Sequence, residues 1–178
     1  MKQRPWDWID SGTLLVAIVV GVVWSSYLIP YYTVFSSQWS VHYRLYLVTM
    51  APVSWLLPLS VAILEWRLRS PRPRWRRLVR QPGFGACGIV SAWLIVLMVP
   101  IGIGVALNPS RLNPAFGYLL LAHFRGIGVP ILGAWILLFL GGFWRPEKSW
   151  QDRAGMILGA SWIALELVRY LLYYLDLH

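Results

Sequence analysis

Hydrophobic residues along this chain gather into five long apolar stretches, separated by short polar connections, one of which is rich in arginine. An α-helix needs about 20 apolar residues to cross a hydrocarbon layer roughly 30 Å thick. The pattern therefore predicts spans over about 11–35, 41–64, 84–107, 117–144 and 154–175, with an Arg-rich loop over 65–83. The fourth stretch exceeds a crossing, and Gly126 to Trp144 alone would suffice. Because the helix faces are apolar nearly all round, periodicity does not fix how each helix is rotated.

Composition agrees with the pattern. The chain is 58% hydrophobic and 13% charged, with a mean hydropathy of +0.58, whereas soluble domains carry about 25% charged residues. The expected fold is all-α: a polytopic membrane helix bundle with five transmembrane helices. Residues 1–178 form a single integral membrane domain, since five spans leave no room for a soluble module. The first stretch is longer than the apolar core of a signal peptide, and Tyr27, Pro30 and Tyr31 do not make a small-residue cleavage site, so it reads as a retained helix. Cys87, the single cysteine, excludes an internal disulfide and a multi-cysteine metal or iron–sulfur site.

Charge gives the orientation. Lys2 and Arg4 precede the first span; Arg67, Arg69, Arg72, Arg74, Arg76, Arg77 and Arg80 fill the second connection; Arg145, Lys148 and Arg153 fill the fourth. The opposite side has Arg111 in a loop and Arg44 at the edge of the second span. By the positive-inside rule the N-terminus is cytoplasmic and the C-terminus outside, which fits a bacterial inner (plasma) membrane. Twelve Trp and nine Tyr suit interfacial belts. Trp6, Trp8, Trp66, Trp75, Trp144 and Trp150 would line the cytoplasmic side, and Tyr31, Tyr32, Trp39, Tyr43, Tyr118, Tyr173 and Tyr174 the outer one. Gly155 to Gly159 is a literal GxxxG, for which packing within the bundle is favoured over dimerisation.

The Arg-rich loop is read as a topology determinant that also contacts anionic headgroups, worth about 1 kcal/mol per basic residue near the surface. An acidic protein partner comes next. Both flanks are membrane spans, so nucleic acid is not an expected partner in spite of a pI of about 10.2.

Glu166 is the costliest polar residue. It lies twelve positions into the fifth span, about 18 Å along a helix, and an ionisable side chain at such depth is a functional hypothesis by default. Arg169 follows at i,i+3, so a neutralised pair that fixes packing is the competing explanation. His42-Tyr43-Arg44 and His123-Phe124-Arg125 repeat a His-aromatic-Arg triplet at the outer ends of spans two and four, a weak sign of a duplicated two-helix unit. Arg44, His123, Arg125, Glu166, Arg169 and Tyr170 share the outer half of the membrane and form the candidate polar site; the inner half is read as almost free of ionisable residues.

HExxH, GxSxG, P-loop and CxxC signatures are absent, as is a pair of intramembrane aspartates. No metal site, cofactor or catalytic residue is expected. The leading expectation is a non-enzymatic accessory or scaffold subunit of a membrane assembly, or a lipid-contacting module, with membrane lipids, a membrane protein or a second copy as partners. The alternative is a small transporter or carrier for an anionic or proton-coupled solute. A haem or quinone binding protein, with His42 and His123 as axial ligands to haem, ranks below both.

Overall fold

The computed structural model describes residues 7–35, 51–69, 78–107, 126–145 and 149–176. Among these the chain is entirely helical. Its five helices are α1 (Trp8–Phe35), α2 (Ala51–Leu68), α3 (Pro82–Leu107), α4 (Gly128–Leu140) and α5 (Trp150–Asp176). One of them is long and apolar enough by itself to pass as a membrane span, over Trp150–Leu172 of α5; shorter apolar segments are Trp8–Val23, Pro82–Leu97 and Gly128–Leu140.

Local chemistry sets the helix ends. At the start of α1 the Trp8 N–H donates to Asp7 Oδ1 at 2.7 Å, and Asp10 in the first turn reaches back to accept the Asp7 N–H at 3.0 Å, the return half of a capping box. α3 opens on Pro82, two residues ahead of the expected start at Phe84. Proline suits a first helical position because the N–H it lacks would have no intrahelical partner there. Ser149 caps α5 by accepting the Asp152 N–H at 3.4 Å.

The fourth element differs from expectation. α4 has 13 residues with a turn on either side of it, and residues 117–125 of the predicted 117–144 span lie outside the described residues. Before α4, Gly126 has φ of +83°. After it, Gly142 has φ of +66°, Gly142 N–H donates to Phe139 O and Phe143 N–H to Leu138 O. That pairing with a left-handed glycine is a Schellman stop. Apolar composition continues through these turns, which is why hydropathy does not register them.

Contacts along the helices give an alternating direction. Ser25 of α1 meets Ser54 of α2 at 2.8 Å, and Gly21 lies under the Trp55 ring, while Leu14 packs against the cluster of Ile63, Trp66 and Cys87 near the other end of α2. α1 and α2 are therefore antiparallel. α3 runs parallel to α5, Gly83 against Gly155 and Ala86 against Gly159; α4 runs antiparallel to α5, Gly128 against Glu166 and Trp135 against Gly159. α2 through α5 share a core of Val53, Leu57, Ala86, Val90, Ile127, Ile131, Trp162 and Leu165. Trp162 is 1% exposed, and its Nε1 donates to Ser60 Oγ of α2 at 3.3 Å. A buried indole N–H left without an acceptor would cost about 1–3 kcal/mol, so Ser60 fixes which face of α5 meets α2.

The GxxxG pair is used inside the bundle. A Cβ on Gly155 would lie 2.6 Å from Gly83 O, and one on Gly159 would lie 2.7 Å from the Trp135 ring and 2.8 Å from Ala86 Cβ. Small residues here let α3 approach α5 backbone to backbone.

Candidate functional site: two carboxylates on one helix

Glu166 stands on α5 beside the turn that leads into α4. Its Oε2 accepts the Gly126 N–H at 3.0 Å and lies 3.6 Å from Arg169 Nη1. The expected i,i+3 pair is present, and Gly126 adds a partner from a different element. Gly126 reaches the carboxylate through its left-handed turn, a backbone state that side-chain-bearing residues adopt at a cost. Arg169 is 4% exposed, and the Glu166 side chain is 24% exposed. A buried guanidinium needs its charge matched, and losing one partner of such a pair leaves the other uncompensated.

Of the six candidate polar residues, the structure brings Glu166 and Arg169 together. Tyr170 is 72% exposed and turned outward from the helix. Arg44, His123 and Arg125 lie outside the described residues, as does His42, so the haem reading has no described ligand.

A second carboxylate occupies the other end of the same helix. Asp152, 2% exposed, accepts the Gly83 N–H through Oδ1 at 3.1 Å. Gly83 belongs to the first turn of α3, whose free N–H groups carry the positive end of the helix dipole. Beside it, Arg67 Nε and Nη2 both donate to Gln81 Oε1, at 3.2 and 3.1 Å. Arg67, Gln81, Cys87 and Asp152 line a cleft too narrow to seat a water molecule. Asp152 lies just ahead of the predicted 154–175 span, and sequence reasoning did not single it out. One signal was available: Ser149-x-x-Asp152 is a capping spacing. The cap, however, explains why Asp152 opens α5, while its carboxylate serves α3.

Fourteen positions separate Asp152 from Glu166, close to four whole turns, which places both on one face about 21 Å apart. Each accepts from the backbone at the leading end of a neighbour, α3 at one level and the approach to α4 at the other.

The Arg-rich connection is described at its two ends. Arg69 pairs with Glu65 at i,i+4, and Arg67 is engaged with Gln81. Arg80 is exposed, with its Cζ 4.9 Å from the centre of the Phe143 ring. Arg72, Arg74, Arg76 and Arg77 lie outside the described residues. Of the predicted belts, Trp66 is buried against Trp150 with ring centres 5.3 Å apart, and Trp144 meets Trp135 edge-on at 5.7 Å. Among the described residues no three His, Cys, Asp or Glu side chains are placed to hold a metal ion. Comparison with known proteins gives no matching protein family, no matching curated sequence and no matching solved structure.

Proposed function

We propose that residues 1–178 form one integral membrane domain of five spans in a bacterial inner (plasma) membrane, N-terminus cytoplasmic and C-terminus outside. It acts by association, as an accessory or scaffold subunit of a membrane assembly that also contacts anionic lipid. The observation that carries this reading is the use made of Glu166: its carboxylate holds the Gly126 turn and Arg169 together. An intramembrane charge spent on joining helices is a packing device.

Surface chemistry supports the membrane part. Leu15, Val16 and Val23 of α1, Leu137, Phe139 and Leu140 of α4, and Ile157, Leu167 and Leu171 of α5 are all exposed. Apolar patches of that extent on a protein in water mark association or aggregation surfaces; facing lipid, they are solvated. The alternating helix directions also suit a chain that crosses repeatedly through short connections.

The carrier reading retains one supporting observation, the partial exposure of Glu166. It makes Glu166 the titratable group and Arg169 the anion partner. Replacing Glu166 with Gln separates the two. Gln keeps an acceptor for the Gly126 N–H but removes the charge that faces Arg169 at 3.6 Å, so the scaffold reading expects a midpoint lower by several degrees in detergent, at about 2–4 °C per kcal/mol for a chain of this size. It also expects loss of co-purifying partners from native membranes in mild detergent. An unchanged midpoint together with abolished solute flux in proteoliposomes selects the carrier. Recovery of only the lone wild-type chain from its native membrane overturns the scaffold.

A further inference from the structure

Two connections far apart in sequence meet at the end of the bundle that holds Asp152. The Arg145 N–H donates to Arg80 O at 3.3 Å, which joins the α2–α3 connection to the α4–α5 connection. The Schellman stop at Gly142 turns the chain sharply out of α4 and delivers Phe143 beneath the Arg80 guanidinium. Stacking on an aromatic face leaves the edge of a guanidinium, with its five N–H donors, pointing outward. Arg80, Phe143 and Arg145 are all exposed, and among the described residues neither arginine has a carboxylate partner. Arg67 and Arg69, by contrast, are already engaged.

Directly next to this pair the surface becomes apolar. Leu137, Phe139 and Leu140, in the last turn of α4, are 70–76% exposed, and Trp144 packs edge-on against Trp135 at the boundary. Two exposed arginines, one of them stacked on an aromatic ring, joined to an exposed apolar helix end a few residues away, combine the chemistry that binds one anionic lipid: donors for a phosphate and apolar surface for an acyl chain.

We infer that Arg80, stacked on Phe143, and Arg145, tied to Arg80 by a backbone hydrogen bond, form a specific site for an anionic phospholipid, with the headgroup phosphate bound by the two guanidinium groups and an acyl chain along the end of α4. This inference rests on the membrane reading proposed above. It goes further in placing recognition at a built pair of arginines drawn from two loops, where the sequence suggests a diffuse arginine-rich segment.

The test uses the full chain in nanodiscs of equal phosphatidylglycerol and phosphatidylcholine, with retained lipid counted by native mass spectrometry after release. Wild type is expected to keep phosphatidylglycerol preferentially. Arg80→Gln and Arg145→Gln should each reduce that preference about fivefold, the equivalent of one near-surface basic residue. Arg80→Lys should recover part of it, because charge is kept but the planar fork is lost. Arg69→Gln is the charge-matched control and should leave the preference unchanged, and thermal midpoints should stay at the wild-type value in all four. Equal loss in Arg69→Gln would mean diffuse attraction and overturn the site. So would displacement of the lipid by millimolar inorganic phosphate, which would make free phosphate the ligand. A wild-type chain that fails to enter nanodiscs at all would fail the membrane reading; a chain that enters and retains both lipids equally would fail the site alone.

Discussion

Asp152 and Glu166 show how two carboxylates perform the same task at two levels of one helix. Each carboxylate accepts a backbone N–H that a lipid or an apolar neighbour could not satisfy, and in low-dielectric surroundings an unmet donor is expensive. Asp152→Ala is expected to destabilise by about 1–3 kcal/mol, the cost of stranding the Gly83 N–H. Asp152→Asn, which keeps an acceptor oxygen, should lose less; equal losses in a thermal melt would show that the charge and not the hydrogen bond matters. Only part of this was legible in the sequence. The Glu166–Arg169 pair follows from i,i+3 spacing on a helix, because both partners sit on one local segment. Gly126 and Gly83 could not be read as partners, since each contact joins residues 40 or 69 positions apart, and a backbone N–H has no signature in a sequence.

At the scale of the element, the helices separate into those defined by length and those defined by their ends. α1, α3 and α5, with 28, 26 and 27 residues, follow the apolar runs closely. α4 does not, because Gly126 and Gly142 are themselves neutral to a hydropathy scale while φ above zero at each ends the helix. Glycines inside the helices divide in the same way. Gly155 faces the Gly83 backbone, whereas a Cβ on Gly133 would meet nothing within 4 Å. Gly155→Ala should therefore force α3 and α5 apart and cost about 1–3 kcal/mol or more, while Gly133→Ala should be neutral or stabilise by about 0.5–1 kcal/mol through helix propensity. Comparing the two in one detergent series checks the packing order; reversed signs would mean that α3 and α5 do not cross at Gly83.

For the whole molecule, alternating helix directions and the distribution of arginines support the five-span arrangement proposed above, which gives each connection a testable side of the membrane. Alkaline phosphatase fused after Arg145 is expected to be inactive in a bacterial host, and active when fused after His178. A green fluorescent protein should give the opposite pattern. Activity at both junctions would remove the fifth crossing. The single passing span, Trp150–Leu172, belongs to the helix around which α3, α4 and α2 assemble, so the element with the clearest membrane signal is also the one that organises the rest.

The two carboxylates of α5 also act as a ruler. Their four-turn separation sets the offset between the start of α3 and the approach to α4 at about 21 Å, and side-chain hydrogen bonds at both marks resist sliding of one helix along another. In the five-span arrangement proposed above, a bundle locked in this way would adapt poorly to changes in bilayer thickness. In membranes thicker or thinner than its own apolar girdle, the lipids would have to stretch, thin or tilt around it, at a cost of fractions of a kcal/mol per Å of mismatch. On that proposal the protein would accumulate in a membrane of matching thickness, and the spacing of two acidic residues on one helix would act as a means of lateral sorting.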